Sequence, residues 1–99
     1  MNSFVDSFVC DVSKISETIQ QRNPGAIMLP DYYNSALVGY TDNNCAVYNI
    51  ETCIQIIMED KECSRKEAEI ELGFMGLSWS KLEGLAPVLA HFPQIETEV

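Results

Sequence analysis

Positive charge is scarce in this sequence. Six lysines and arginines stand against fifteen aspartates and glutamates, for a net charge of −9. Such a surface has few cations with which to displace the counterions of a phosphate backbone, so direct nucleic-acid binding is disfavoured. Histidine occurs once, at His91, and none of the four cysteines (Cys10, Cys45, Cys53, Cys63) forms a Cys-x-x-Cys pair. Structural zinc sites are built from close ligand pairs, so the expectation is four free thiols and no metal. No apolar run is long enough to span a bilayer, which speaks against a membrane protein. The N-terminus, Met1-Asn2-Ser3-Phe4-Val5-Asp6, has no basic flank and carries an acid inside its apolar part. That reads against a signal peptide and for a cytoplasmic protein. There is no Gly-x-Ser-x-Gly, no phosphate-cradling glycine loop and no His-Glu-x-x-His. Neither catalytic residues nor a cofactor site are expected, and the chain does not read as an enzyme.

What is present is a globular pattern. Ninety-nine residues with an apolar fraction of 46% make one domain with one modest core. Residues 3–21 place Phe4, Val5, Phe8, Val9, Val12, Ile15 and Ile19 on one helical face, with Ser3 as N-cap and Asn23-Pro24-Gly25 as the stop. Cys10 falls on the polar face and is the cysteine expected to be exposed. Residues 24–35 read as a connector. Ala36–Tyr40 and Cys45–Tyr48 read as a hairpin, joined by Thr41-Asp42-Asn43-Asn44, whose side chains suit a turn. Asn49 is placed to cap a helix from Ile50 to about Asp60. Ser64-Arg65-Lys66-Glu67 is a capping box that starts a further helix, expected to end near Met75, where Gly73 and Gly76 weaken it. Val88–Phe92, set between Pro87 and Pro93, reads as a closing edge strand. The expectation is a single α+β domain over residues 1–99, in the order α-β-β-α-α-β, with helices packed on a short antiparallel sheet. Residues 1–23 form the N-terminal helix, 33–92 the core module and 93–99 an acidic tail.

The helix after Ser64 has two apolar sides. Ala68, Leu72 and Met75 form one stripe, and Ile70, Phe74 and Leu77 form another roughly opposite. A helix of this kind is either sandwiched within the fold or packs a partner. Glu67, Glu69 and Glu71 on it would repel phosphate, so the corner between the two helices is not a DNA-reading device. Glu67 and Glu71 lie one turn apart, as a carboxylate pair would, but solvated helices carry many such pairs. Tyr32, Tyr33, Tyr40 and Tyr48 gather around the hairpin, where core and strand positions favour aromatics and interfaces do as well. If the second stripe faces outward, the candidate partner-binding set is Glu59, Asp60, Glu67, Ile70, Glu71, Phe74 and Leu77. It would suit an apolar groove rimmed by lysine and arginine, with Arg65 and Lys66 away from the contact. The occupant is either another protein or a second copy of the chain, in a homodimer.

The central stretch resembles a set of small phage- and prophage-encoded proteins, mostly uncharacterised. The resemblance rests on Tyr33, Ala36, Leu37, Val38 and Gly39, then Val47, Tyr48 and Asn49. It continues with Cys53, Ile54, Ile57, Met58, Glu59 and Asp60, then Ser64, Glu67, Ala68, Gly76 and Pro87. The chain departs from that pattern at Gly73, where the family has Asn, in the longer segment from Lys81 to Ala86, and in the added N-terminal helix. The resemblance implies a phage setting in a host cytoplasm and carries no activity over. The expected function is that of an acidic, non-enzymatic accessory factor that binds and modulates a host protein. Its sharpest form is an inhibitor of a defence system, such as an anti-CRISPR. The alternatives are a homo-oligomeric structural or regulatory module, or a small nucleotide-binding protein or enzyme using the tyrosines and carboxylates.

Overall fold

A computed structural model describes residues 12–79 and 81–92. Helix α1 spans Val12–Arg22 and is anchored by Ile19, which is fully buried, with Val12 and Ile15 packed partly against the core. The beginning of the expected 3–21 helix, with Ser3, Phe4, Phe8 and Cys10, lies outside the described residues. After a turn at Pro24-Gly25 the chain runs extended. It then forms a 3-10 helix, Asp31–Ala36, within the stretch read as a connector. Pro30 ends the extended run, and its carbonyl accepts the Tyr33 amide at 2.9 Å. Tyr33 and Ala36 are turned into the core.

Strands β1 (Leu37–Tyr40) and β2 (Ala46–Asn49) form the expected hairpin, pairing antiparallel with a register shift between Leu37 and Gly39. Asn44 takes up the left-handed backbone in the turn, at φ 64°, a conformation asparagine tolerates. The chain passes straight from β2 into α2 (Ile50–Lys61), where the Asn49 side chain accepts the Glu51 amide at 3.0 Å. A three-residue corner leads into α3 (Arg65–Ser78). Both halves of the capping box are formed: the Glu67 amide donates to Ser64 Oγ at 3.1 Å, and the Ser64 amide donates to Glu67 Oε1 at 2.9 Å.

Two boundaries differ from expectation. Helix α3 runs on through Gly73 and Gly76 to Ser78. Ala68, Leu72 and Met75 tie one side of it to the core, and that packing outweighs the roughly 1 kcal/mol propensity cost of each glycine. The closing strand, β3, is limited to Val88–Ala90.

The sheet order is β1-β2-β3, and β3 is at the edge, as Pro87 suggests. The expected antiparallel sheet is corrected here: β2 and β3 are parallel, with Val47 opposite Val88 and Tyr48 opposite Leu89. The reason is the connection. Two helices and a loop separate β2 from β3, which is a crossover that returns the chain in its original direction, and a hairpin turn cannot do that.

Tyr48, Ile19, Leu37, Ile57 and Cys53 are the largest fully buried side chains. Tyr48 is accommodated because its hydroxyl accepts the Leu29 amide at 3.0 Å. Among the described residues no buried side-chain nitrogen or oxygen lacks a partner, the condition a small core must meet.

A second polar junction lies at the end of α1. The Asn23 amide donates to the carbonyls of Gly84 at 2.9 Å, Asn43 at 3.2 Å and Asn44 at 3.4 Å. One side chain therefore ties α1 to the hairpin turn and to the loop before β3. The Ile27 amide, bonded to the Leu85 carbonyl at 2.8 Å, supports the same junction.

Candidate interaction surface

Helix α3 has one side in the core and the other in water. Ala68 and Leu72 are buried, and Met75 packs against the same cluster. A rotation of about 100° per residue puts Ile70, Phe74 and Leu77 on the far side. They are 53%, 66% and 68% exposed. Of the two placements the sequence left open for this stripe, the structure takes the outward one.

The charged residues around the stripe are arranged in a definite way. Arg65 forms a bidentate pair with Glu51, at 2.7 and 2.9 Å, and its Nε donates to Glu69 at 2.9 Å. Lys61 Nζ donates to Glu71 at 2.7 Å. Hydrogen bonding to Arg65 holds the Glu51 carboxyl below the usual carboxylate range, and hydrogen bonding to Glu71 raises Lys61. These pairs are solvated, so they orient α3 on α2 more than they stabilise the fold. They also occupy Glu71, which turns toward α2 through Lys61. Glu67 flanks the stripe while its carboxylate serves the helix cap. Glu59 and Asp60 are exposed at the last turn of α2, where the helix dipole disfavours negative charge. Arg65 is held away from the stripe, as expected. Lys66 is not, because it lies one turn before Ile70 on the same face.

Two hollows adjoin this face. One, of about 390 Å³, lies between α3 and the end of β3, with Leu72, Gly73 and Gly76 on one side and Leu89 and His91 on the other. The next, of about 320 Å³, shares Gly76 and Leu89 and runs under Trp79 and Leu82. Gly73 and Gly76, which the sequence presents as a helix end, both line the first hollow, and Gly76 alone lines the second.

The remaining candidate groups do not converge. Tyr33 and Tyr48 are core residues. The Tyr33 hydroxyl reaches Met75 Sδ at 3.7 Å, and burial, with Tyr32 next to it, pushes its pKa up to about 12. Tyr32 lies against Tyr33 in a tilted pair, with ring centroids 4.7 Å apart and planes 33° apart, and is itself exposed, as is Tyr40. Cys53 is fully buried and its thiol is pushed up to about 11 by burial. Among the described residues no cluster of histidine, cysteine, aspartate or glutamate has the form of a metal site, and no helix is long and apolar enough to cross a membrane.

Compared with protein-family models, with curated proteins and with solved structures, the chain matches none. The surface itself is therefore the ground for a functional reading.

Proposed function

We propose that this protein is a non-enzymatic interaction module that binds another protein through the outer face of α3. The supporting observation is the exposure of Ile70, Phe74 and Leu77 together on a helix whose opposite side is already in the core. Burying such side chains against an apolar groove gains about 25 cal/mol per Å², and an aromatic at the centre of the patch is a favoured anchor. The partner's groove is rimmed by lysine and arginine. Glu59, Asp60 and Glu67 remain to meet that rim, and the net charge of −9 speeds encounter with a basic surface. The sequence resemblance adds the setting: a phage accessory factor acting in a host cytoplasm on a host protein, with a defence system as the sharpest target.

The test compares proteins captured from host lysate by the wild type, by Phe74→Asp and by Glu59→Lys with Asp60→Lys. Loss of a specific captured protein with Phe74→Asp, and slower capture at low salt with the charge reversals, are the expected results. Identical capture by all three would defeat the reading.

A further inference from the structure

We infer that this face, taken as a docking face above, pairs in the free protein with the same face of a second copy. The contact is an antiparallel α3–α3 pairing, two-fold about a point between Gly73 and Phe74. The dimer holds the face covered until a partner protein displaces the second copy.

The first ground is Gly73. It lies inside α3, where glycine costs about 1 kcal/mol relative to alanine. A Cβ built there meets nothing within 4 Å, and its φ is not positive. Neither packing within the chain nor backbone geometry calls for glycine at this exposed position. A glycine on a helix surface does allow another molecule to approach closely.

The second ground is spacing. An isologous contact requires a surface complementary to itself. The outer-face residues Ile70, Gly73, Phe74 and Leu77 are separated by steps of three, one and three, a series that reads the same in both directions. Antiparallel pairing about its centre sets Ile70 of each copy against Leu77 of the other. It also sets the Phe74 ring of each against the bare backbone at Gly73 of the other. The largest side chain meets the smallest twice, and the aliphatic residues meet each other at both ends.

The third ground is charge. Two copies of a chain with net charge −9 repel, so they meet at least cost where the surface is neutral. Between the Lys66/Glu67 pair and Lys81, the outer face carries no ionisable side chain. Of the flanking acids, Glu71 is paired with Lys61, while Glu69 shares Arg65 with Glu51 and is only partly offset. Antiparallel helices also set their dipoles in the favourable sense. Three exposed large side chains are far fewer than the roughly 20–30 residues per partner of a stable complex. The dimer is therefore weak and concentration-dependent, as a cover that a partner must displace should be.

Sedimentation equilibrium of the full chain from about 10 µM to about 1 mM tests this, with Gly73→Leu, Phe74→Asp and the wild type compared. The weight-average mass of the wild type should climb from 11.1 kDa toward twice that value. Phe74→Asp should stay monomeric. Gly73→Leu enlarges the apolar patch and favours the helix, yet it should weaken association at least tenfold, because it fills the space that receives Phe74. A merely sticky surface would respond in the opposite direction. A wild type that stays monomeric throughout, or a Gly73→Leu variant that associates as well as the wild type, overturns the pairing. A wild type that stays monomeric yet captures a partner protein that Phe74→Asp does not would leave the docking reading standing without the pairing. Mass growth with capture indifferent to Phe74→Asp would leave the pairing standing and remove the docking reading.

Discussion

Replacing Asn23 with alanine removes one side chain and loosens three segments. Its amide reaches the carbonyls of Gly84, Asn43 and Asn44 at 2.9, 3.2 and 3.4 Å. An NH₂ group has two hydrogens, so two good bonds are lost rather than three. Each neutral bond contributes about 1 ± 0.5 kcal/mol, and part of the site is open to water, which recovers some of the loss. The expected cost is about 1.5 kcal/mol, which lowers the melting midpoint of a domain this size by roughly 6–12 °C. Asn23→Asp is the sharper comparison. It has nearly the same shape but presents a carboxylate to carbonyl oxygens and donates nothing, so it should melt no higher than the alanine variant. Thermal unfolding followed by circular dichroism reads both. If Asn23→Asp melts within a degree or two of the wild type, the amide is not the tie between α1, the hairpin turn and the 82–86 loop, and the account of this junction is wrong.

Three further outcomes are expected. Glu62 caps α2 in the left-handed conformation, at φ 50°, so Glu62→Gly should raise stability by about 0.5–1 kcal/mol in a chemical denaturation curve. The Glu51–Arg65 pair depresses the Glu51 carboxyl, so its contribution is present above the ordinary carboxylate pKa and is lost as pH falls through the depressed one. The stability difference between wild type and Glu51→Gln should thus shrink between about pH 5 and about pH 2, and one that persists at the acid end would rule this out. The Cys53 thiol, buried and raised to about 11, should resist an alkylating reagent at about pH 8 until the protein is unfolded, which peptide mass mapping would show.

The local parts of this fold are legible in the sequence. Asn49 and the Ser64/Glu67 box announce their helix starts because a cap is a short-range bond between neighbours. The hairpin is legible because the residues of its turn have few other uses. The relative direction of β2 and β3 is not, since it depends on how a helical corner brings the chain back, and no local pattern of Val88-Leu89-Ala90 states it. The 3-10 helix at 31–36 is not legible in the sequence, because its two adjacent tyrosines carry no helical period. Asn23 reads as a helix stop, and its larger role depends on carbonyls of Asn43 and Gly84 that only the tertiary fold brings to it. The exposed stripe was visible as periodicity, but which of the two stripes faces water was settled only by the packing of α3 on α2.

The central claim, that the outer face of α3 is surface, is tested most directly by the melting temperature of Phe74→Asp at low micromolar concentration. Phe74 is 66% exposed, so the change should cost no more than about 1 kcal/mol, most of it helix propensity, and lower the midpoint by less than about 8 °C. A fall of more than about 20 °C would match the 3–5 kcal/mol of a deleted core phenylalanine with a buried charge added. That result would place this face inside the fold and contradict the account.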